Sequence, residues 1–460
     1  MTAPAFVLPE HPVLHRWSRT TSRLLFLASC NAALLFLTGC GKGEKTSGDS
    51  TAAKAARDSA AAPIAGGRTR VARPDSVRAL YVNAWAAGSR SRMAELLRIA
   101  DATEVNTFIV DIKESDTFLS YDSTAIPLAK EIGADQRPAT KWLPALVDSM
   151  TAHGIYSVAR IVVFKDRMLA EKKPELAIRH TNGSLWRDKK GGAWVNPYDK
   201  RVWDYNIAIA REALDMGFSE LQWDYVRFPD VTNTMRAVMT YPGSGGKTRP
   251  DNIRDFILYT KQQLRDYKVP VTADVFGLVT HAEGDVDIGQ HWETVIAAAD
   301  AVLPMVYPSH YSTGHYGFKK PHAVPYQLIR VALTDAVQRT TFLRDSAKIT
   351  VGEIRPWLEA MSIRGMTYGS AEVRAQIQAT YDAGLKSWAL WNPGSKYAEF
   401  EGALRPASGG LSAIERGGWK APVWTPSPAL LSKIIARRVA RTQAAAAVAD
   451  STASAPKKGA

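Results

Sequence analysis

The sequence predicts a (β/α)8 barrel with inserted loops, and three observations predict it. Eight short apolar runs rich in β-branched residues recur between residues 77 and 393. Segments with helical periodicity lie between them, and the runs are apolar at nearly every position, as strands of a parallel sheet covered by helices must be. An open doubly wound sheet is the competing architecture, but it carries a Gly-rich phosphate turn after an early strand. This chain reads YVNAWAAGS there.

In chain order, the first run is VRALYVNAW (77–85), followed by RSRMAELLRIADA with its 3.6-residue period. VNTFIVDIK (105–113), YSVARIVVF (156–164) and SELQWDYV (219–226) are the next three strands, the last preceded by the amphipathic WDYNIAIAREALDMG. VPVTADVFG (269–277) follows NIRDFILYTKQQLRDY, and DAVLPMVYP (300–308) and KITVGEIRPW (348–357) come after it. EVRAQIQATYDAG then leads to SWALWNP (387–393), and its terminal Gly is a common stop before a strand. Eight such units suit a barrel of about 250 residues enlarged by insertions. The folded domain is read as residues 76–406.

The ends have a different composition. Residues 41–75 are rich in Gly, Ser, Ala and Lys and cannot bury a core, so residues 40–75 read as a flexible tether. Residues 407–460 form a basic, Ala-rich tail, expected to be largely disordered apart from a short amphipathic helix around Leu430 to Arg441. These ends explain the net charge of +13: residues 1–75 supply +5 and residues 406–460 supply +6, leaving +2 on the body. A nucleic-acid binder would carry its basic face on the folded body, so no nucleic-acid partner is expected.

Arg16, Arg19 and Arg23 precede the apolar run LLFLASCNAALLFLTGC, too short for a confident membrane span but right for a signal segment, residues 1–39. Its end, Leu37-Thr38-Gly39-Cys40, resembles the lipobox of bacterial lipoproteins, which implies acylation of Cys40 and a membrane anchor in the cell envelope. Gly41, where Asp would mark inner-membrane retention, leans toward the outer membrane. Removal of the signal leaves no cysteine in the folded body, which excludes disulfides, thiol nucleophiles and zinc–thiolate sites. Histidines lack HExxH spacing, no G-x-S-x-G elbow occurs, and Asp285 with Asp287 read as a solvated loop, so no metal or cofactor is expected.

In a barrel, active-site residues stand at the C-terminal ends of strands. Asp111, Lys113 and Glu114 end strand two, Arg160 sits on strand three, and Asp224, Tyr225 and Arg227 end strand four. Asp274 ends strand five, Tyr307 strand six, Glu353 and Arg355 strand seven, and Trp391 and Asn392 strand eight. Carboxylates converging with arginines and aromatics on one rim fit a two-carboxylate glycosidase, in which one acid keeps its proton and the other is ionised. Asp224 and Asp274, on neighbouring strands, are the expected catalytic pair. The other ten (Lys113 apart) are expected to contact a carbohydrate substrate.

FIVDIKESD, LQWDYVRFPD, TADVFG, DAVLPMVYPSHY, IRPWLEA and SWALWNP, in this order over residues 77–400, resemble a family of bacterial glycoside-hydrolase-like barrel domains distantly similar to α-amylase-type enzymes. The resemblance implies that Asp224 is the nucleophile. Such enzymes carry a Glu where this chain has Asp274 and an Arg where it has Gln222, so Arg160 or Arg227 would replace that Arg, and Glu114 or Glu353 could be the acid instead. The function expected is hydrolysis of a polysaccharide or cell-envelope glycan. A non-catalytic carbohydrate-binding barrel and a metal-dependent polysaccharide deacetylase are the alternatives.

Overall fold

A computed structural model describes residues 68–405 except 116, 117 and 364, together with Ala62–Pro63 and a few positions between 427 and 436. Cys40, the signal segment and most of the helix expected at Leu430–Arg441 lie outside the described residues. Eight parallel strands close into a barrel: Arg78–Val82, Thr107–Lys113, Tyr156–Val162, Glu220–Asp224, Val271–Phe276, Ala301–Met305, a seventh in two pieces (Glu353–Ile354 and Trp357–Glu359), and Trp388–Trp391. Each pairs with its neighbours in sequence order, and strand eight pairs with strand one, Leu390 opposite Leu80. Every strand expected from the sequence is present.

Side-chain polarity sorts the two faces of each strand. In strand four, Leu221 and Trp223 point outward into the core between sheet and helices, where Trp223 meets Phe256 at a ring separation of 5.3 Å. The alternate residues Glu220, Gln222 and Asp224 point into the barrel and are all buried. A smaller apolar cluster fills the interior, including Ala79, Tyr81, Val158, Leu303 and Trp357. Outside, the helices begin at polar caps: Ser89 before Arg90–Ala102, Asp199 before Lys200–Asp215 and Thr248 before Arg249–Gln263 each accept a backbone N–H. Gly217, at φ 105°, turns the second of these back into strand four, a conformation costly for any residue with a Cβ.

Strand seven differs from its sequence reading, which ended it at Trp357. Pro356 has no N–H to give the ladder, so the strand is interrupted there and resumes to Glu359. Glu353 and Arg355 therefore stand at the N-terminal end of the barrel, not at its mouth. Arg355, fully buried, pairs with Glu220 at 2.6 Å (Nη1 to Oε1), and Glu220 is the first residue of strand four. Glu353 is half-buried against Arg73 and Arg355. Residues ahead of the boundary read at 76 also pack here. Val71 enters the interior cluster, and Arg70 donates to the carbonyl of Leu214 at 2.7 Å.

Long loops rise above the strand ends. The segments after strands three and four are stitched together by a two-stranded antiparallel pair, Arg179–His180 with Met239–Thr240. This raises a wall on one side of the mouth.

Removing one member of a fully buried ion pair strands the other charge in low dielectric. Arg355→Met should lower the unfolding free energy by about 3–5 kcal/mol, measured by urea denaturation. A change below about 1 kcal/mol would mean the pair contributes nothing net.

Candidate active site

The barrel register brings four charged residues together. Asp111 of strand two lies opposite Arg160 of strand three, and Val162, two residues on, lies opposite Asp224 of strand four. All project inward near the C-terminal ends. The Arg160 guanidinium is enclosed by them: Nη1 pairs with Asp111, Nη2 with Asp224, and Nε donates to Asp224 Oδ2 at 3.2 Å. The same Nε stands 3.9 Å from Asp274 Oδ2 on strand five. Asp111, Arg160, Asp224 and Asp274 are all at most 5 % exposed.

The carboxylates occupy different settings. Asp224 meets donors at both oxygens, since the backbone N–H of Tyr225 reaches Oδ1 at 2.5 Å and Arg160 takes Oδ2. That backbone contact depends on Tyr225 adopting φ 48°, a left-handed turn that costs a non-glycine residue on the order of 1–2 kcal/mol. Asp274 lies deeper. Trp357 Nε1 donates to its Oδ1 at 2.8 Å, and Gln222 Nε2 donates to both oxygens at 2.9 and 3.0 Å. Burial, and next the charge of Asp224, nevertheless push the Asp274 carboxyl well above the usual range against the pull of Arg160. Gln222 Oε1 is buried without a partner. A half-turn of that amide would offer Asp274 an acceptor for its proton.

Burial also raises Asp111, with Arg160 opposing and the nearby Glu114 carboxyl adding to the rise. Burial disfavours the charge of Arg160, but Asp111 and Asp224 together hold its guanidinium protonated well above its ordinary value.

Aromatic rings line the space above. Tyr81 stacks on Trp391 at 4.1 Å and donates its hydroxyl to Asp111. Trp357 meets Trp391 edge-on at 5.8 Å, and Tyr307 stands 6.4 Å from Trp391. The Arg160 guanidinium carbon is 5.4 Å from both the Tyr81 and Trp391 centroids. Burial, and then the charges of Asp274 and Asp224, raise the Tyr307 hydroxyl.

Asp111, Glu114, Arg160, Asp224, Tyr225, Arg227, Asp274, Tyr307 and Trp391 thus gather around one mouth. Asn392 does not offer its amide to a ligand: Nδ2 donates to the Ala360 carbonyl at 2.7 Å, and Oδ1 accepts from Gly394 and Lys396. It shapes the loop after strand eight. Glu353 and Arg355 lie at the other end of the barrel. Lys113 pairs with Asp166 at 2.7 Å.

The sequence reading missed Tyr81 and Glu359 as contributors, took Gln222 only as a departure from the family pattern, and offered Trp357 only as a ring for a sugar to stack on. Tyr81, Gln222 and Trp357 contact Asp111 or Asp274 directly, and alternation along their strands would have marked the first two as inward-facing. Glu359 ends strand seven fully buried and accepts from the Ser309 hydroxyl at 2.5 Å and its N–H at 3.0 Å, anchoring the turn that carries Tyr307. Among the described residues, no group of three or more His, Cys, Asp or Glu side chains is placed to hold a metal ion.

Comparisons with known proteins bear on this geometry. A family model described as "Putative glycosyl hydrolase domain" matches residues 79–397. A protein of Ruminiclostridium thermocellum, described only as hypothetical, is 38 % identical over 43 % of this chain and 97 % of its own, with a TM-score of 0.39. The PgaB (BpsB) glycoside hydrolase domain from Bordetella bronchiseptica has a TM-score of 0.52 at 12 % identity, over 72 % of this chain and all of its own, a likeness of fold. No curated protein matches.

Arg160→Met would leave three buried carboxylates facing one another. Burial already raises Asp111 and Asp274, and without the opposing guanidinium their protonated forms would be favoured in the fold still more than in the unfolded chain, so stability would fall as pH rises through those raised values. Thermal melting should show a large deficit at pH 7 that narrows toward pH 4. A deficit independent of pH would contradict this electrostatic role.

Proposed function

From the premise that this chain belongs to the glycosyl hydrolase domain family whose model spans residues 79–397, we propose that it is a glycoside hydrolase in which Asp274 is the general acid and Asp224 the ionised partner. One observation carries the reading. Two carboxyl groups on adjacent strands face the same Arg160 nitrogen at 3.2 and 3.9 Å, yet Asp224 meets donors at both oxygens while burial, and next the charge of Asp224, push Asp274 toward its protonated form. Such a split divides acid from nucleophile or base in a glycosidase. The two oxygens can be no farther apart than those two lengths end to end. That ceiling admits the about 5–5.5 Å spacing of retaining enzymes and only the near end of the about 6.5–9.5 Å inverting range.

In this mechanism a sugar ring enters over Trp391 and Tyr307. Asp274 delivers its proton to the glycosidic oxygen as the bond to the anomeric carbon breaks. Asp224 meets the positive charge developing at that carbon, either bonding to it or drawing a proton from the attacking water. Arg160 holds Asp224 ionised and in place. Glu114 and Glu359 are not required for the step.

We further propose that Cys40 carries the lipid anchor and that the enzyme works on a polysaccharide or envelope glycan outside the cytoplasm. The lipobox-like Leu37–Cys40 and the preceding apolar run support this. Cys40→Ala should abolish incorporation of labelled fatty acid and release the protein from membranes. Unchanged labelling would place the anchor elsewhere.

On a panel of glycans assayed by release of reducing ends, Asp274→Asn should cut kcat by about 10²–10⁴-fold, with a smaller loss on aryl glycosides whose leaving groups need no proton. Because Asp274 must be protonated to act and its carboxyl is raised, wild-type kcat should fall as pH climbs through that raised value. The limb should vanish in Asp274→Asn. Asp224→Asn should abolish turnover while sparing affinity. Unimpaired turnover in both variants would sink the assignment, and glycan binding without turnover by the wild type would favour a carbohydrate-binding barrel.

A further inference from the structure

Arg227 is a buried cation with no counter-ion. Its side chain is only 5 % exposed, yet among the described residues no carboxylate oxygen lies within ion-pairing distance of it. Its single hydrogen bond runs from Nη1 to the carbonyl of Phe228 at 3.2 Å. Three aromatic rings surround the guanidinium instead. Its carbon is 4.4 Å from the centroid of Phe276, 4.8 Å from Tyr225 and 5.1 Å from Trp194. Ring faces compensate such a charge only in part, and a desolvated cation without an anion is costly. Nε and Nη2 have no hydrogen-bond partner among the described residues, and neither atom is fully sealed from solvent.

The position of this cation is informative. Tyr225 directly follows Asp224, and Phe276 lies two residues beyond Asp274, so Arg227 is wedged between the tops of the two strands that carry the carboxyl pair. A second positive charge, Lys165 Nζ, stands 5.3 Å from the same Tyr225 ring, and the backbone beside it pairs with strand four through Val163 N–H to Asp224 C=O. Asp230, three residues on, is exposed to solvent at the rim and within the field of Arg227 but makes no ion pair with it.

Resting on the glycosidase reading, we propose that Arg227 is the receptor for an oxyanion carried by the substrate glycan. That group would be a uronic-acid carboxylate or a sulfate ester on the sugar beside the cleaved bond. Nε and Nη2 would donate to it as a fork, and the rings of Trp194 and Tyr225 would shield the pair from water. A neutral glycan would leave the guanidinium unpaired, so the site discriminates by charge.

Binding of D-glucuronate, D-glucose 6-sulfate and D-glucose to the whole folded protein, followed by saturation-transfer NMR and calorimetry at low salt, tests this without a known substrate. One or both anionic sugars should bind about tenfold or more tightly than glucose, and the advantage should shrink with added salt. The tighter of the two identifies the source of the oxyanion. Arg227→Met should erase the preference and Arg227→Lys should retain part of it, a lysine lacking the planar fork. If Arg227→Met does not fold, the wild-type comparison decides alone. Equal binding of glucose and the anionic sugars, no binding of either anion at tens of millimolar, or a preference that survives in Arg227→Met would each overturn the proposal. The Asp224→Asn turnover assay reads the glycosidase assignment separately, so a charge preference without turnover and turnover without a charge preference point to different failures.

Discussion

Arg160 carries a full positive charge into a part of the barrel nearly closed to solvent, and the mouth is arranged around that fact. An unpaired guanidinium there would be untenable, and so would Asp111, Asp224 and Asp274 without it, because each carboxylate is buried among apolar and aromatic side chains. The charges are tolerable only together. Since the carboxylates come from strands two, four and five and the arginine from strand three, the contact fixes the relative height of four neighbouring strands. It also decides the chemistry. Asp224 receives the guanidinium edge-on, whereas Asp274 receives only its distant nitrogen and the dipoles of Gln222 and Trp357.

The barrel interior contains two charged layers separated by aromatic and aliphatic packing. At the lower end Arg355 and Glu220 close the barrel, while the upper cluster opens toward the loops. The lower pair is enclosed, with Tyr156 also donating to Glu220 at 3.0 Å, although Arg355 Nε is left without a partner. The upper cluster keeps polar edges turned toward the mouth. Closing one end of a barrel and leaving reactive groups at the C-terminal end of the strands is the division of labour that this fold permits. Arg227 belongs to neither layer: it stands on the rim, where a partner can arrive from outside.

Much of the architecture was legible beforehand because parallel strands covered by helices must be apolar on both faces. VNTFIVDIK and YSVARIVVF announce themselves by that property, and the helical segments between strands announce themselves by period. Asp111, Arg160, Asp224 and Asp274 were legible for a related reason, since a charged residue in an otherwise apolar strand has to be accounted for. Strand seven was misjudged because Pro356 looks like a terminus, and a strand can resume after a proline once its neighbours supply the missing pairing. That slip of a few residues exchanged Glu359 for Glu353 and Arg355, and so exchanged one end of the barrel for the other.

The sequence by itself determined the number and order of the strands and which residues could carry charge inward. These follow from local pattern and from the cost of burying polar groups. Only the tertiary structure decided which charges meet. Arg160 could have served Asp111 or Asp224 and serves both, Gln222 turned to Asp274 rather than to its neighbour two residues on, and Asn392 was consumed by its own loop. Those outcomes depend on strand register and barrel closure, which bring side chains from distant segments to within a hydrogen bond of one another, and no local pattern encodes the distance between them.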